Sequence, residues 1–236
     1  MSFLVTFVAG VVALVPALLI AIPAHEIGHA AAAYFPGDRS VRYFGYFKPD
    51  PRRFLDPLGV IAVFVALVGW GRRVPIQSNR ISATRQKVIY ELGGPAANLV
   101  VALVVGFLLR GMIAAGAPIS FEVGPGLLGL AVYAIVFLNL SIFAFQLLPI
   151  PGLDGWNVIE AIFQRQNARF FYDVSLRRRE VWAGCVIILL AFQFFQGANL
   201  LNYVMFPFFE PASLISVGQC IGYRVPGLTG LAPCLP

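Results

Sequence analysis

Apolar and polar positions fall along this chain in long blocks, not in the short alternation of a soluble fold. From Phe3 to Ala24 no side chain ionises, and the helical pattern runs on to about Tyr34. A membrane span needs about 20 apolar residues, so this first block is long enough to cross a bilayer. Pro16 and Pro23 each remove a backbone hydrogen bond and are expected to kink it. Further full blocks run from Val88 to Arg110, from Leu127 to Leu148, and from about Val181 to Phe206. The run from Pro57 to Gly71 is short for a span and fits a re-entrant or interfacial segment, although its Val-rich composition would also allow strands. The pattern predicts an all-α polytopic membrane protein with about four transmembrane helices plus this re-entrant or short fifth apolar segment. Residues 1–209 form one membrane-embedded unit, and residues 210–236 a Gly/Pro-rich C-terminal tail.

Composition supports the same setting. Hydrophobic residues make up 59% and charged residues 12%, and the mean hydropathy is +0.81. A soluble domain carries about a quarter charged residues. The net charge of +6 resides in short loops. Arg39, Arg42, Lys48, Arg52 and Arg53 precede the short apolar run, and Arg72, Arg73, Arg80, Arg85 and Lys87 follow it. By the positive-inside rule both loops are cytoplasmic, as is the segment with Arg165, Arg169 and Arg177 to Arg179. The loop from Gly111 to Gly126 has no Lys or Arg and belongs outside, with the N-terminus and the tail. This charge serves topology in a lipid bilayer; a nucleic-acid partner would require a basic face with exposed aromatics, and none is visible.

Smaller signals fit the same frame. Ala21 to Ala24 loosely resembles a signal-peptidase site, but no basic residue precedes the apolar run and Pro23 adjoins the supposed scissile bond, so the segment reads as a retained span. Trp156, Ile159, Ile162 and Phe163 recur at helical spacing, as in a helix lying on the membrane surface or packed against the bundle. The three cysteines form no CxxC pair; Cys185 reads as an inert apolar residue, and Cys220 and Cys234 could pair if the tail is outside.

Chemistry enters at His25-Glu26-Ile27-Gly28-His29, which holds both histidines of the chain. A spacing of four puts the two imidazoles on one helix face, where they can share a tetrahedral metal ion, with Glu26 placed as a general base. Asn98, after the small residues Gly93 to Ala97, is a polar group that needs a partner inside the bilayer. The third block stops at Pro149-Ile150-Pro151-Gly152, where the backbone must open, and Asp154 follows. Alone, Asp154 reads as a turn residue. The charge-derived topology brings it to the level of His25, His29 and Asn98, which makes it the candidate third metal ligand.

These motifs together resemble the site-2 protease family, the intramembrane zinc metalloproteases. His25 to His29 matches HExxH, Pro149 to Gly155 resembles PxPxLDG, and Gly94 to Asn98 resembles the GPxxN patch of the middle core helix. Asp56 to Gly59 and Gly69 to Pro75 are similar to the connecting region of the compact branch that lacks a PDZ domain, and the likeness covers Ala17 to Ile162. The resemblance implies a three-helix core, Zn2+ held by His25, His29 and Asp154, and a water activated by Glu26. It also implies a transmembrane protein substrate, with regulatory proteins cut within a locally unwound helix near the cytoplasmic side of a bacterial or archaeal cell membrane. Asn98 and Gln146 are the expected support for substrate or oxyanion. Gln146 stands where the family has Asn, eight residues before the ligand Asp. Two other classes compete: a catalytically silent member bound in a larger membrane complex, and a transporter with a proton relay, which would want inverted repeats that the chain lacks.

Overall fold

The computed structural model describes residues 3–48, 50–77, 79–116, 127–195 and 200–218. Three long apolar helices, α1 (Phe3–Tyr34), α5 (Thr84–Ala114) and α6 (Leu127–Gln146), pack against one another as a core. Each is long and apolar enough to cross a membrane. The other helices are α2 (Ser40–Tyr43), α3 (Pro51–Phe54), α4 (Pro57–Ala66), α7 (Asp154–Phe163), α8 (Ala168–Leu176), α9 (Arg178–Phe195) and α10 (Leu200–Val217). Pro16 and Pro23 both lie inside α1, which continues through them. Among the described residues, extended pairing is limited to two isolated bridges.

Small residues set how closely α1 and α5 approach. A Cβ added at Gly93 would lie 2.6 Å from Cβ of Ala32 and 2.7 Å from the carbonyl oxygen of Gly28, so backbone meets backbone there. In lipid no hydrophobic force draws helices together, and such close contact supplies the attraction through packing.

The run from Pro57 to Gly71 does not cross the core. Asp56 caps α4 by accepting from the amides of Leu58 and Gly59, with Pro57 in the first turn. The helix ends at Leu67, whose φ of 55° turns the chain back. The return is extended: Gly71 bridges Leu55, and the amide of Arg72 donates to Phe54 at 2.7 Å. Both ends of the segment therefore meet at one level, as in a re-entrant loop, and the run whose composition would also allow strands is helical from Pro57 to Ala66, because an Asp cap and a following proline start a helix.

The chain after the core departs from expectation. The block from Val181 to Phe206 is not one span: α9 ends at Phe195 and α10 begins at Leu200. It is α10 that packs on α5 and α6. Its small face makes this possible, since a Cβ at Gly106 of α5 would lie 2.8 Å from the carbonyl oxygen of Ser216. Residues 210–217, expected to begin the tail, are the second half of α10. Cys185 carries a free thiol in α9; the expected pairing of Cys220 with Cys234 lies outside the described residues.

Candidate metal centre

The ends of α1, α5, α6 and α7 meet around the two histidines. Past Gln146, α6 gives way to a bend at Leu147 and Leu148 and then to an irregular stretch from Pro149 to Leu153, in which the amide of Leu153 donates to the carbonyl of Ile150 at 3.0 Å. Gly152 adopts φ 111°, a conformation that favours glycine. This reversal aims the start of α7 back at the core and places Asp154 in its first turn. At Gly155 a Cβ would overlap the carbonyl oxygens of Leu147 and Leu148, so the glycine lets the new helix start against the old one.

The result is a triangle of donor atoms. Nε2 of His25 and Nε2 of His29 are 3.1 Å apart, and each is 3.1 Å from Oδ2 of Asp154. All three side chains are buried. Tetrahedral ligands at about 2.0–2.1 Å from zinc stand roughly 3.3 Å apart, close to this spacing.

Tautomer assignment makes the fit stronger. Nδ1 of His29 lies 2.8 Å from the carbonyl oxygen of Tyr90, an acceptor only, so Nδ1 carries the proton. Asn98 donates from Nδ2 to the carbonyl of Ala21 at 2.9 Å and to Oδ1 of Asn139 at 2.9 Å. Its Oδ1 therefore faces Nδ1 of His25, at 2.7 Å, and that ring too is protonated on Nδ1. Both Nε2 atoms point bare lone pairs at each other and at a carboxylate oxygen. Three acceptors this close suit a cation between them, and His25, His29 and Asp154 are, among the described residues, the set that could hold a metal ion. Gly94 keeps the space open: a Cβ there would collide with Nε2 of His29 and lie 2.6 Å from Nε2 of His25.

Glu26, one residue beyond the first histidine, is buried, and its Oε2 has no hydrogen-bond partner. Gly71 of the returning strand presses on it; a Cβ there would lie 2.5 Å from Oε1. A buried carboxylate oxygen without a partner is an acceptor held in readiness. His25, Glu26, His29 and Asp154 line a cavity of about 480 Å³, together with Gln146 and, among others, Trp70, Arg73, Arg178, Arg179 and Trp182. Burial pushes the Arg73 guanidinium toward losing its proton, but Glu91 beside it outweighs that and holds it above the usual arginine range.

Of the residues expected from sequence, His25, His29, Asp154 and Glu26 come together, and Gln146 reaches the same cavity. Asn98, expected as substrate or oxyanion support, stands behind His25 instead, with its amide engaged by Ala21, Asn139 and the ring. Replacing Asn98 by Leu should weaken zinc binding about 10–100-fold, the usual scale for an outer partner of a ligating histidine. Chelator competition on the purified protein would measure it. Sequence reading missed Asn139, Glu91 and Asn157. A signal was present for two of them, since Asn139 and Glu91 are polar residues within long, largely apolar helices.

No family model matches the chain. No solved structure matches it either. Curated relatives do. The Bacillus subtilis (strain 168) protein named "Putative zinc metalloprotease YwhC" is 36% identical over 149 residues, covering 62% of this chain and 67% of that protein. "Putative zinc metalloprotease Rip2" of Mycolicibacterium smegmatis is 34% identical over 175 residues, 70% of this chain and 61% of its own length. Rip2 of Mycobacterium tuberculosis (strain Erdman) is 32% identical over 156 residues, 64% of this chain and 57% of its own length. The chain thus spans less than two thirds of the Rip2 proteins.

Proposed function

Because the chain belongs to the site-2 protease family of zinc metalloproteases, we propose that it hydrolyses a peptide bond in the transmembrane helix of a membrane protein. The observation that carries this reading is the donor triangle of His25, His29 and Asp154 beside the unpartnered Oε2 of Glu26. A zinc ion held by His25, His29 and Asp154 would supply Lewis-acid polarisation of the peptide carbonyl and lower the pKa of water.

The rest of the work falls to the chain itself. Glu26 accepts a proton from the attacking water at Oε2 and delivers it to the leaving amine. The Tyr90 carbonyl and Asn98 hold the two rings in the tautomer that leaves Nε2 free. Gln146 offers its amide to a substrate carbonyl from the end of α6, with an arm one methylene longer than that of the family's Asn. A helix hides its carbonyls in hydrogen bonds, so the substrate must unwind. The extended stretch from Val68 to Ile76, which runs past Glu26 at Gly71, offers it an edge. The Lys and Arg excess of the connecting loops supports a cytoplasmic side for this end of the bundle, and the bacterial relatives support a bacterial or archaeal cell membrane as its setting.

Metal removal tests the reading. Protein reconstituted in vesicles should carry one zinc per chain and cut a model transmembrane substrate; chelation should stop cleavage, and added zinc should restore it. Zinc bound at that stoichiometry with no cleavage of a panel of such substrates would overturn the protease reading in favour of a silent scaffold in a membrane complex.

A further inference from the structure

The cavity that holds the metal donors has a second, cationic part built from distant segments of the chain. Arg73, in the stretch after α4, is ion-paired with Glu91 of α5. Asn157 of α7 donates from Nδ2 to Oε2 of Glu91 at 3.0 Å and accepts on Oδ1 from Arg178, the first residue of α9. Glu91 and Asn157 are only 9% and 7% exposed. Arg73, Arg178 and the neighbouring Arg179 all line the cavity.

Arginines that serve topology alone stay solvated and need no partner. Here a carboxylate is buried at a desolvation cost to hold one guanidinium directly and, through Asn157, to place another. Glu91 pairs with Arg73 and reaches Arg178 only through the neutral Asn157 amide, so one carboxylate faces two guanidiniums, and the side chain of Arg179 has no hydrogen bond or ion pair among the described residues. The other acidic groups of the cavity, Glu26 and Asp154, stand at the metal donors. The wall thus keeps an excess of positive charge that an occupant must complement. Guanidinium forks match carboxylates with two parallel hydrogen bonds, which makes a carboxylate the fitting partner.

Building on the protease reading, we propose that Arg178 and Arg179, with Arg73 as the inner member, form a carboxylate-binding subsite. It selects membrane substrates that carry Glu or Asp beside the unwound segment entering the cavity. Glu91 holds Arg73 directly and Arg178 through Asn157, so these two members of the subsite are positioned before substrate arrives.

Three fluorescent transmembrane peptides, identical except for Glu, Gln or Lys at two positions flanking the apolar segment, test this against the Glu26→Gln protein in phosphatidylcholine vesicles. The Glu peptide should bind about tenfold more tightly than the Gln peptide at low salt, with the gap narrowing as salt rises. Arg179→Glu should move the preference to the Lys peptide, a gain that an unfolded variant cannot show. Arg178→Lys, which keeps charge but loses the fork, should weaken binding of the Glu peptide while sparing its rank over the Lys peptide. Equal binding of all three peptides overturns the proposal. So does a response that follows phosphatidylserine added to the vesicles and ignores peptide charge, since the arginines would then serve lipid. Cleavage of the same peptides by the unsubstituted protein separates the two readings. Turnover without charge preference removes the subsite and leaves the protease, whereas charge-selective binding without turnover removes the protease and leaves the subsite.

Discussion

Glu26→Gln is expected to leave zinc bound at wild-type stoichiometry while cleavage of a transmembrane substrate falls by about 10²–10⁴-fold, the usual contribution of a positioned general base. Gln has nearly the shape of Glu, and the site is tight: Glu26 is buried, with Gly71 pressed against its Oε1 side. The amide keeps that packing. What it loses is a basic oxygen at the position where Oε2 has no partner. The histidines and Asp154 form the donor triangle without Glu26, so metal content should be unchanged. Metal analysis and initial rates on the same preparation check both halves, and turnover equal to that of the unsubstituted protein would exclude Glu26 as the base.

Asp154→Ala should act on the metal itself, taking zinc content to background and abolishing cleavage. The substitution removes the only negative charge from a triangle in which two imidazole lone pairs face each other at 3.1 Å. With the carboxylate gone, two neutral donors from one helix remain, and the link between α1 and α7 is lost. Zinc saturating the intact site at a hundred times its dissociation constant should add about 2.7 kcal/mol of stability, since it binds only the folded chain. The variant should melt at one temperature with or without zinc. Melting curves at several free zinc concentrations would show it, and a zinc-dependent rise in the variant's melting temperature would place the third ligand elsewhere. Asn98→Leu, which disturbs an outer partner and spares the donors, should fall between this variant and the unsubstituted protein.

Much of this site was legible from residue type and spacing because its parts are local. Two histidines four apart in a helix must share a face, and the break at Pro149 to Gly152 must open the backbone wherever it lies. Charge counting along the loops then put Asp154 at the level of the histidines. The fourth core helix was not legible in the same way. Hydropathy favoured one span from Val181 to Phe206, whereas contact of α10 with α5 depends on Gly106 and Ser216, small residues that add little hydropathy but let backbones touch. The same holds for Asn98, whose place behind His25 follows from the Gly28 and Gly93 contact that draws α1 onto α5.

By itself the sequence determined the class of the fold and the three long apolar helices, and it named the candidate metal ligands and the candidate base, because these rest on local periods, a local break and the charge of the loops between them. Only the tertiary structure decided which tautomer each histidine adopts, that Asn98 orients a ring, that Pro57 to Gly71 returns to its own start, and that α10 completes the core. It alone joined Arg73 to Arg178 through Glu91 and Asn157. These are relations between side chains far apart in the chain, and their geometry is set by how closely helix backbones approach, which residue order does not encode at any fixed spacing.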